Sequence, residues 1–169
     1  LKAIPDVHVQ DMWIKPTLNE DNTSGAIRVD VKISAVKVGE KSAKFILADK
    51  SGNKLLCKDI ALEDTEGMVQ GSMMAEVEKV IPWDNRSPYL YEAFIEVYEN
   101  GQLAEVVFYR VGFRRLEIID KVMYLNGKRL ILTGVNRHEW NAKTGRVIGM
   151  DEMISDMKCV KRNNINAVR

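Results

Sequence analysis

Cysteine is scarce in this chain, and so are the features that mark several whole classes of protein. Two cysteines, Cys57 and Cys159, stand about 100 positions apart with no CxxC or Cys/His spacing around them, so neither a disulfide framework nor a zinc site is predicted. Only four prolines and eleven glycines occur in 169 residues, far below collagen-like or low-complexity composition. No apolar run is long enough for a membrane span, and a 46% hydrophobic content excludes a disordered chain. The start, Leu1-Lys2-Ala3-Ile4-Pro5-Asp6, has neither Met nor a charged-then-apolar leader, so no signal peptide is read there and the terminus has the look of a cut edge. A cytoplasmic protein with reduced thiols is the expectation.

Net charge is also nearly absent, at +1, but it is unevenly divided. Residues 114–169 carry 12 Lys and Arg against 6 Asp and Glu, while residues 1–113 carry 13 against 18. The basic part lacks a recognition helix and the clustered cations with stacking aromatics that nucleic-acid binding needs, so no nucleic-acid partner is expected. The chain also has no Gly-x-Ser-x-Gly elbow, no P-loop and no dinucleotide fingerprint. His138-Glu139 begins a zinc-protease pattern, but position 142 is Ala rather than His.

What is present is a long series of strand signals. Ile27, Val29, Val31, Ile33 and Ala35 alternate with Arg28, Asp30, Lys32 and Ser34, the period of a half-buried strand. An earlier strand runs around Val7, Val9, Met12, Trp13 and Ile14. Ala43–Asp49 and Lys54–Ile60 form a hairpin through Lys50-Ser51-Gly52-Asn53, where glycine supplies the positive φ of a tight turn. Residues 73–81 are strand-like, and residues 89–98 turn through Glu99-Asn100-Gly101-Gln102 into residues 103–111. About seven short strands with no helical period predict an antiparallel sandwich of two sheets, immunoglobulin-like, over residues 1–113.

From residue 114 the pattern changes. Val122–Leu125, the turn Asn126-Gly127 and Arg129–Leu132 predict a second hairpin, with the strand reaching Thr133. After a polar stretch, Met150, Met153, Ile154, Met157 and Val160 recur at helical spacing. Asp151 and Glu152 sit at the helix's positive end, and Lys158, Lys161 and Arg162 at its negative end. Ile165–Arg169 starts a further strand. Strand, helix and strand in about 40 residues make a βαβ unit, the building block of a parallel sheet or β/α barrel. Residues 114–169 are therefore expected to be the first part of an incomplete barrel, and the chain as a whole mainly β.

Chemistry concentrates at Gly134-Val135-Asn136-Arg137-His138-Glu139. Strand ends at the carboxyl face of a β/α barrel hold its active site, which places these side chains toward a ligand. His138 can serve as a base or hydrogen-bond a sugar or phosphate, with Arg137 and Glu139 orienting it; a loop histidine bonded to backbone is the plainer alternative. Arg169, ending the next strand, can hold a carboxylate through forked hydrogen bonds or simply meet solvent. The aromatic segment from Pro82 to Tyr91 reads as a packed corner rather than a sugar-stacking loop. Met68, Met73, Met74, Met150, Met153 and Met157 read as core.

Taken in order, Pro82-Trp83, Pro88-Tyr89-Leu90-Tyr91, Val111-Gly112-Phe113-Arg114-Arg115-Leu116-Glu117-Ile118, Leu125-Asn126-Gly127-Lys128, Gly134 to Glu139 and Asn164-Ile165-Asn166-Ala167-Val168-Arg169 resemble the successive signatures of β-galactosidases of glycoside hydrolase family 2. The resemblance implies a retaining enzyme that cleaves terminal β-galactosides with two glutamates, assisted by magnesium and a monovalent cation. It places both glutamates on later barrel strands beyond Arg169, so no catalytic or metal-binding residue is expected within this chain. By the same resemblance His138 contacts sugar hydroxyls, Arg169 lies near the nucleophile, and Asn136, Arg137 and Glu139 support the motif. The chain alone is then expected to be inactive, and its helix face of Ile154, Met157 and Val160 to drive self-association or to fold back onto the sandwich. β-Glucuronidase or β-mannosidase activity, and a non-catalytic immunoglobulin-like binding module, are the alternatives.

Overall fold

Alternation decides the first half of the molecule. In the computed structural model, which describes residues 4–35, 39–65 and 68–169, Ile27, Val29, Val31 and Ile33 are all buried while Arg28, Asp30 and Lys32 face outward. Residues 1–3, on which the absent-leader reading partly rests, lie outside the described residues. Seven strands build this half: β1 (Val7–Leu18), β2 (Gly25–Ala35), β3 (Lys41–Ala48), β4 (Lys54–Thr65), β5 (Met68–Val77), β6 (Tyr91–Glu99) and β7 (Gln102–Val111).

The strands follow the order β1-β2-β5-β4-β3-β6-β7, antiparallel throughout. The sequence predicted two sheets; the backbone joins both layers into one hydrogen-bonded ladder. The link is β4, whose Lys54–Ile60 stretch pairs with β3 and whose Ala61–Thr65 stretch pairs with β5. At the hand-off β5 runs so close that a Cβ on Gly71 would sit 2.6 Å from the Ala61 carbonyl oxygen and 2.5 Å from Leu62 Cδ2, so only glycine fits.

Core side chains come from both layers. Ile27, Val29 and Ile33 of β2 meet Phe45 and Leu47 of β3 and Ile95 of β6, all essentially inaccessible. Burial of each such side chain contributes about 1.5–3 kcal/mol. The turns behave as their residues demand: Gly52 has φ 82°, and the Asn100-Gly101 pair takes φ 50° and 77°, the left-handed pair a two-residue hairpin requires. Asp49 closes the first of these turns by accepting hydrogen bonds from the Asn53 side-chain amide and from the Asn53 and Ser51 N–H groups, which in that order hold its carboxyl below the usual range.

The aromatic segment is a packed corner. Tyr91 is buried, stands edge-on to Tyr89 and Phe113 at 4.9 and 5.4 Å, and its phenol oxygen accepts the Ile81 N–H at 2.7 Å. Burial pushes the Tyr91 hydroxyl above its ordinary range. The strand expected over 73–81 is shifted: β5 ends at Val77, and Val80 instead donates to the Thr23 carbonyl.

Three short strands follow, β8 (Leu116–Ile119), β9 (Val122–Leu125) and β10 (Lys128–Arg129), in the order β10-β9-β8. The predicted Asn-Gly turn is present, with Asn126 and Gly127 at φ 53° and 76°, but β10 stops at Arg129 instead of running to Leu132 or Thr133. The first barrel-type strand is β11 (Gly134–Val135), inside the motif that the sequence placed after a strand. Ile131, Leu132 and Thr133 form an extended lead-in, whose apolar content mimics a strand while its backbone pairs with an asparagine side chain. Helix α1 (Met150–Arg162) and strand β12 (Ala167–Val168) complete a βαβ unit in which β11 and β12 are parallel.

Helix α1 has its expected span and ends. Glu152 accepts the Gly149 N–H at its start. At its end Asn164 turns left-handed at φ 55°, with Asn164 N–H bonded to the Lys161 carbonyl and Ile165 N–H to that of Val160, a Schellman closure. Its methionines are not core: no residue of α1 is buried, and Met150 and Met157 are exposed. Among the six methionines read as core only Met73 is buried; Met74, its neighbour along a strand of period two, points to the opposite face. By its internal contacts the chain forms two units, Leu1–Glu117 with Tyr124–Lys128, and Ile118–Met123 with Arg129–Arg169.

Candidate functional site

The second unit carries the residues singled out by sequence, and its backbone explains how they are gathered. β11 and β12 pair with Gly134 beside Ala167 and Val135 beside Val168. The ladder continues past the strands, because Arg169 N–H donates to the Val135 carbonyl at 3.0 Å and Arg137 N–H to the Arg169 carbonyl at 2.9 Å. Asn136, Arg137 and Arg169 therefore leave the same carboxyl edge of a two-stranded parallel sheet, with His138 and Glu139 one and two residues further. Around this edge Gly134, Val135 and Asn136 face Ala167, Val168 and Arg169 across a shallow open depression.

Arg137 is the anchored member. Its Nε donates to Asp156 Oδ2 of α1 at 3.0 Å, and Nη2 lies 2.9 Å from the same oxygen as an ion-pair contact off the hydrogen-bond axis. The arginine side chain is 18% exposed, so this pair ties the strand-end loop to the crossover helix. His138 is exposed, and its carbonyl accepts the Trp140 N–H at 2.9 Å. The rings and heads of His138, Asn136, Glu139 and Arg169 make no hydrogen bond or ion pair among the described residues. Imidazole, amide and guanidinium are thus left exposed without internal partners, and groups of these kinds can hydrogen-bond hydroxyls or carboxylates.

Two further residues were not singled out. Asn166 accepts the Thr133 N–H through Oδ1 at 2.8 Å and donates to the Ile131 carbonyl through Nδ2 at 2.8 Å, so its side chain extends the pairing ahead of β11 beyond the backbone bond from the Asn166 N–H to the Thr133 carbonyl. Asp156 is the partner that fixes Arg137. Asn166 lay within a quoted motif and its amide, able to donate and accept, was the available signal; Asp156 faced away from the apolar stripe of α1 and gave only an unassigned charge.

The residues present do not fit a magnesium or other metal site: among the described residues no three of His, Cys, Asp and Glu come together. Among the described residues no helix is long and apolar enough to cross a membrane.

Comparison with known proteins agrees with this architecture. The sequence profile described as "Glycosyl hydrolases family 2" matches residues 7–114, and that described as "Glycosyl hydrolases family 2, TIM barrel domain" matches residues 116–169. Among curated relatives, the β-galactosidase large subunit of Lactobacillus acidophilus is 42% identical over 100% of this chain and 26% of its own length. The β-galactosidase of Streptococcus thermophilus is 42% identical over 100% of this chain and 16% of its own. The chain thus spans about a quarter or less of the relatives it matches. Among solved structures, a β-glucuronidase of Parabacteroides merdae superposes with TM-score 0.81 at 24% identity, over 98% of this chain and 21% of that one. A β-glucuronidase of Bifidobacterium dentium complexed with coumarin-3-O-glucuronide does so at 0.84 and 19%, over 98% and 27%. These structural likenesses concern the fold, a sandwich followed by an opening barrel segment. With both halves matched by its profiles and the whole length aligned to its curated members, this chain belongs to family 2 of the glycosyl hydrolases.

Proposed function

We propose that the chain is part of a retaining β-galactosidase acting on terminal, non-reducing β-D-galactosides, and that it supplies substrate contacts rather than the catalytic pair. The observation that carries the substrate class is the 42% identity, over the whole chain, to two proteins named β-galactosidase. The strand-edge geometry supports the role. A retaining glycosidase needs two carboxyl groups about 5–5.5 Å apart, one attacking and one protonating the leaving oxygen. At this edge Asp156 is occupied by Arg137 and only Glu139 is an uncommitted carboxylate, so the edge is equipped to bind and not to cleave. His138 would hydrogen-bond sugar hydroxyls. Arg169 would lie close to the nucleophile supplied by a later strand, while Asn136, Arg137 and Glu139 hold the loop.

Magnesium and a monovalent cation belong to this proposal only as groups held elsewhere in the longer enzyme, and no step here runs through them. A cytoplasmic setting is part of the same reading, supported by two free, exposed cysteines.

The test compares the chain of residues 1–169 with a longer enzyme of which it is part, on aryl β-galactoside, β-glucuronide and β-mannoside. Turnover of the galactoside by the longer enzyme alone is expected, with a raised KM in His138→Ala. Preference for the glucuronide would transfer the assignment to the sugar acid named in the structural neighbours, and turnover by residues 1–169 alone would overturn the division of labour.

A further inference from the structure

The outer face of the sandwich, opposite its core, holds an arrangement that the proposed activity does not use. On β1, Trp13 is 61% exposed and projects from an edge strand of the ladder. Directly across the register lie Asp30 of β2 and Ser72 of β5, and the next row carries Asp11, Lys32, Gln70 and Glu63 on β1, β2, β5 and β4. These residues line one shallow depression. Adjacent strands stand about 4.8 Å apart, so the strip from β1 to β4 is about 14 Å wide.

We infer that this face is a carbohydrate-binding surface for a neutral, linear oligosaccharide, with Trp13 as its stacking platform. The ring offers a flat apolar face to the C–H side of a pyranose, a surface that a sugar presents beside its hydroxyls. The polar strip next to it suits those hydroxyls, which both donate and accept. Lys32, Gln70, Ser72 and Glu63 make no side-chain hydrogen bond or ion pair among the described residues, so their donors and acceptors are available. Charge on the face is mildly negative: Asp30 is held by Arg28 at 2.9 Å, while Lys32 shares its row with both Asp11 and Glu63. A strongly anionic partner is therefore disfavoured, and a single excess carboxylate offers a polycation little. A protein partner is disfavoured by the same composition, since interface cores are depleted in charged residues and this strip has one aromatic among many polar groups. Lys15 keeps its ammonium 5.5 Å from the Trp13 ring centre, and the ring remains exposed with that lysine in place.

This inference is independent of the β-galactosidase reading. The experiment titrates 15N-labelled residues 1–169 with β-1,4-linked galactotetraose and, separately, with cellotetraose, following the Trp13 indole N–H and the Ser72 and Gln70 amides. A saturable shift at these positions with at least one of the two sugars is expected, weakened at least tenfold in Trp13→Ala, retained in Trp13→Tyr and unchanged in His138→Ala. The side chain is solvent-exposed, so the alanine variant should keep the native spectrum elsewhere; Gln70→Ala, expected to weaken binding a few-fold, checks the strip without touching the ring. No saturable shift with either sugar, binding that follows His138 instead of Trp13, or tighter binding of polygalacturonate than of both neutral sugars would each overturn the inference.

Discussion

Asn126→Gly is the substitution that most directly tests how the second hairpin is held. Asn126 Oδ1 accepts the Arg115 N–H at 2.9 Å and its Nδ2 donates to the Trp83 carbonyl at 3.0 Å, while its own N–H donates to the Arg115 carbonyl at 2.8 Å. Arg115 in turn reaches Glu117 at 2.9 Å and the Asn19 carbonyl at 2.5 Å. Glycine accepts the φ of 53° without strain, so the variant removes the two side-chain bonds and little else. Each partner left behind is a partly buried backbone group without its bond, at about 1–1.5 kcal/mol apiece, which gives about 2–3 kcal/mol in all. With a urea slope of about 2 kcal/mol/M, the midpoint of unfolding followed by far-ultraviolet circular dichroism should fall by about 1–1.5 M at unchanged slope. Alanine should do worse, since it adds left-handed strain that glycine avoids. A glycine variant within about 0.3 M of the parent protein would refute the latch and leave the turn conformation as the only reason for asparagine here.

Other expectations follow from single contacts. In a double-mutant cycle, Arg137→Ala and Asp156→Ala should couple by about 0.5–1 kcal/mol, discounted because Asp156 is half exposed; additive losses would mean the pair is ornamental. Gly25→Ala would place a Cβ 2.5 Å from Phe113 Cδ1 and 2.7 Å from the Thr17 carbonyl oxygen, so a cost of about 1–3 kcal/mol is expected in the same urea assay, and neutrality would show that the corner yields. The Asp21 carboxyl, bonded by the Thr23 and Ser24 N–H groups, is lowered to about 2. Its contribution to stability is full above its unfolded value and lost as pH falls through about 2. A carboxyl-carbon titration by NMR giving a midpoint near 4 would contradict the bonded turn. The apolar face of α1 should make residues 1–169 self-associate, read as a concentration-dependent mass in sedimentation equilibrium; a monomer at all concentrations would remove that expectation.

Strands with one wet face were legible because their two faces differ: β2 could be read residue by residue, and the turns at Gly52, Asn100-Gly101 and Asn126-Gly127 announced their own backbone signs. The sharing of β4 was not legible, because a strand that leaves one partner and joins another keeps the same alternation throughout. β11 was misplaced by several residues for a related reason. Ile131 and Leu132 are apolar enough for a strand, but their segment is bonded by the amide of Asn166, and hydropathy carries no record of which group satisfies a backbone. The methionines of α1 show the limit of periodicity, which identifies the face that seeks cover without telling whether cover is supplied. At the site, the order Asn136-Arg137-His138-Glu139 was visible, while the anchoring of Arg137 by Asp156 required the helix to be placed.

The passage of β4 from one layer to the other also bears on how the sandwich can fail. Loss of pairing on either side of Ile60 and Ala61 would divide the ladder into a group of β1, β2 and β5 and a group of β3, β6 and β7, held together mainly by side chains. Among the described residues the two groups would then keep little backbone hydrogen bonding beyond the Leu18 N–H to the Arg114 carbonyl just after β7, and each would expose a fresh strand edge at the break. Amide exchange in β4 is therefore expected to report the opening of the whole sandwich, with its central amides among the slowest in the chain although the strand itself carries few fully buried side chains.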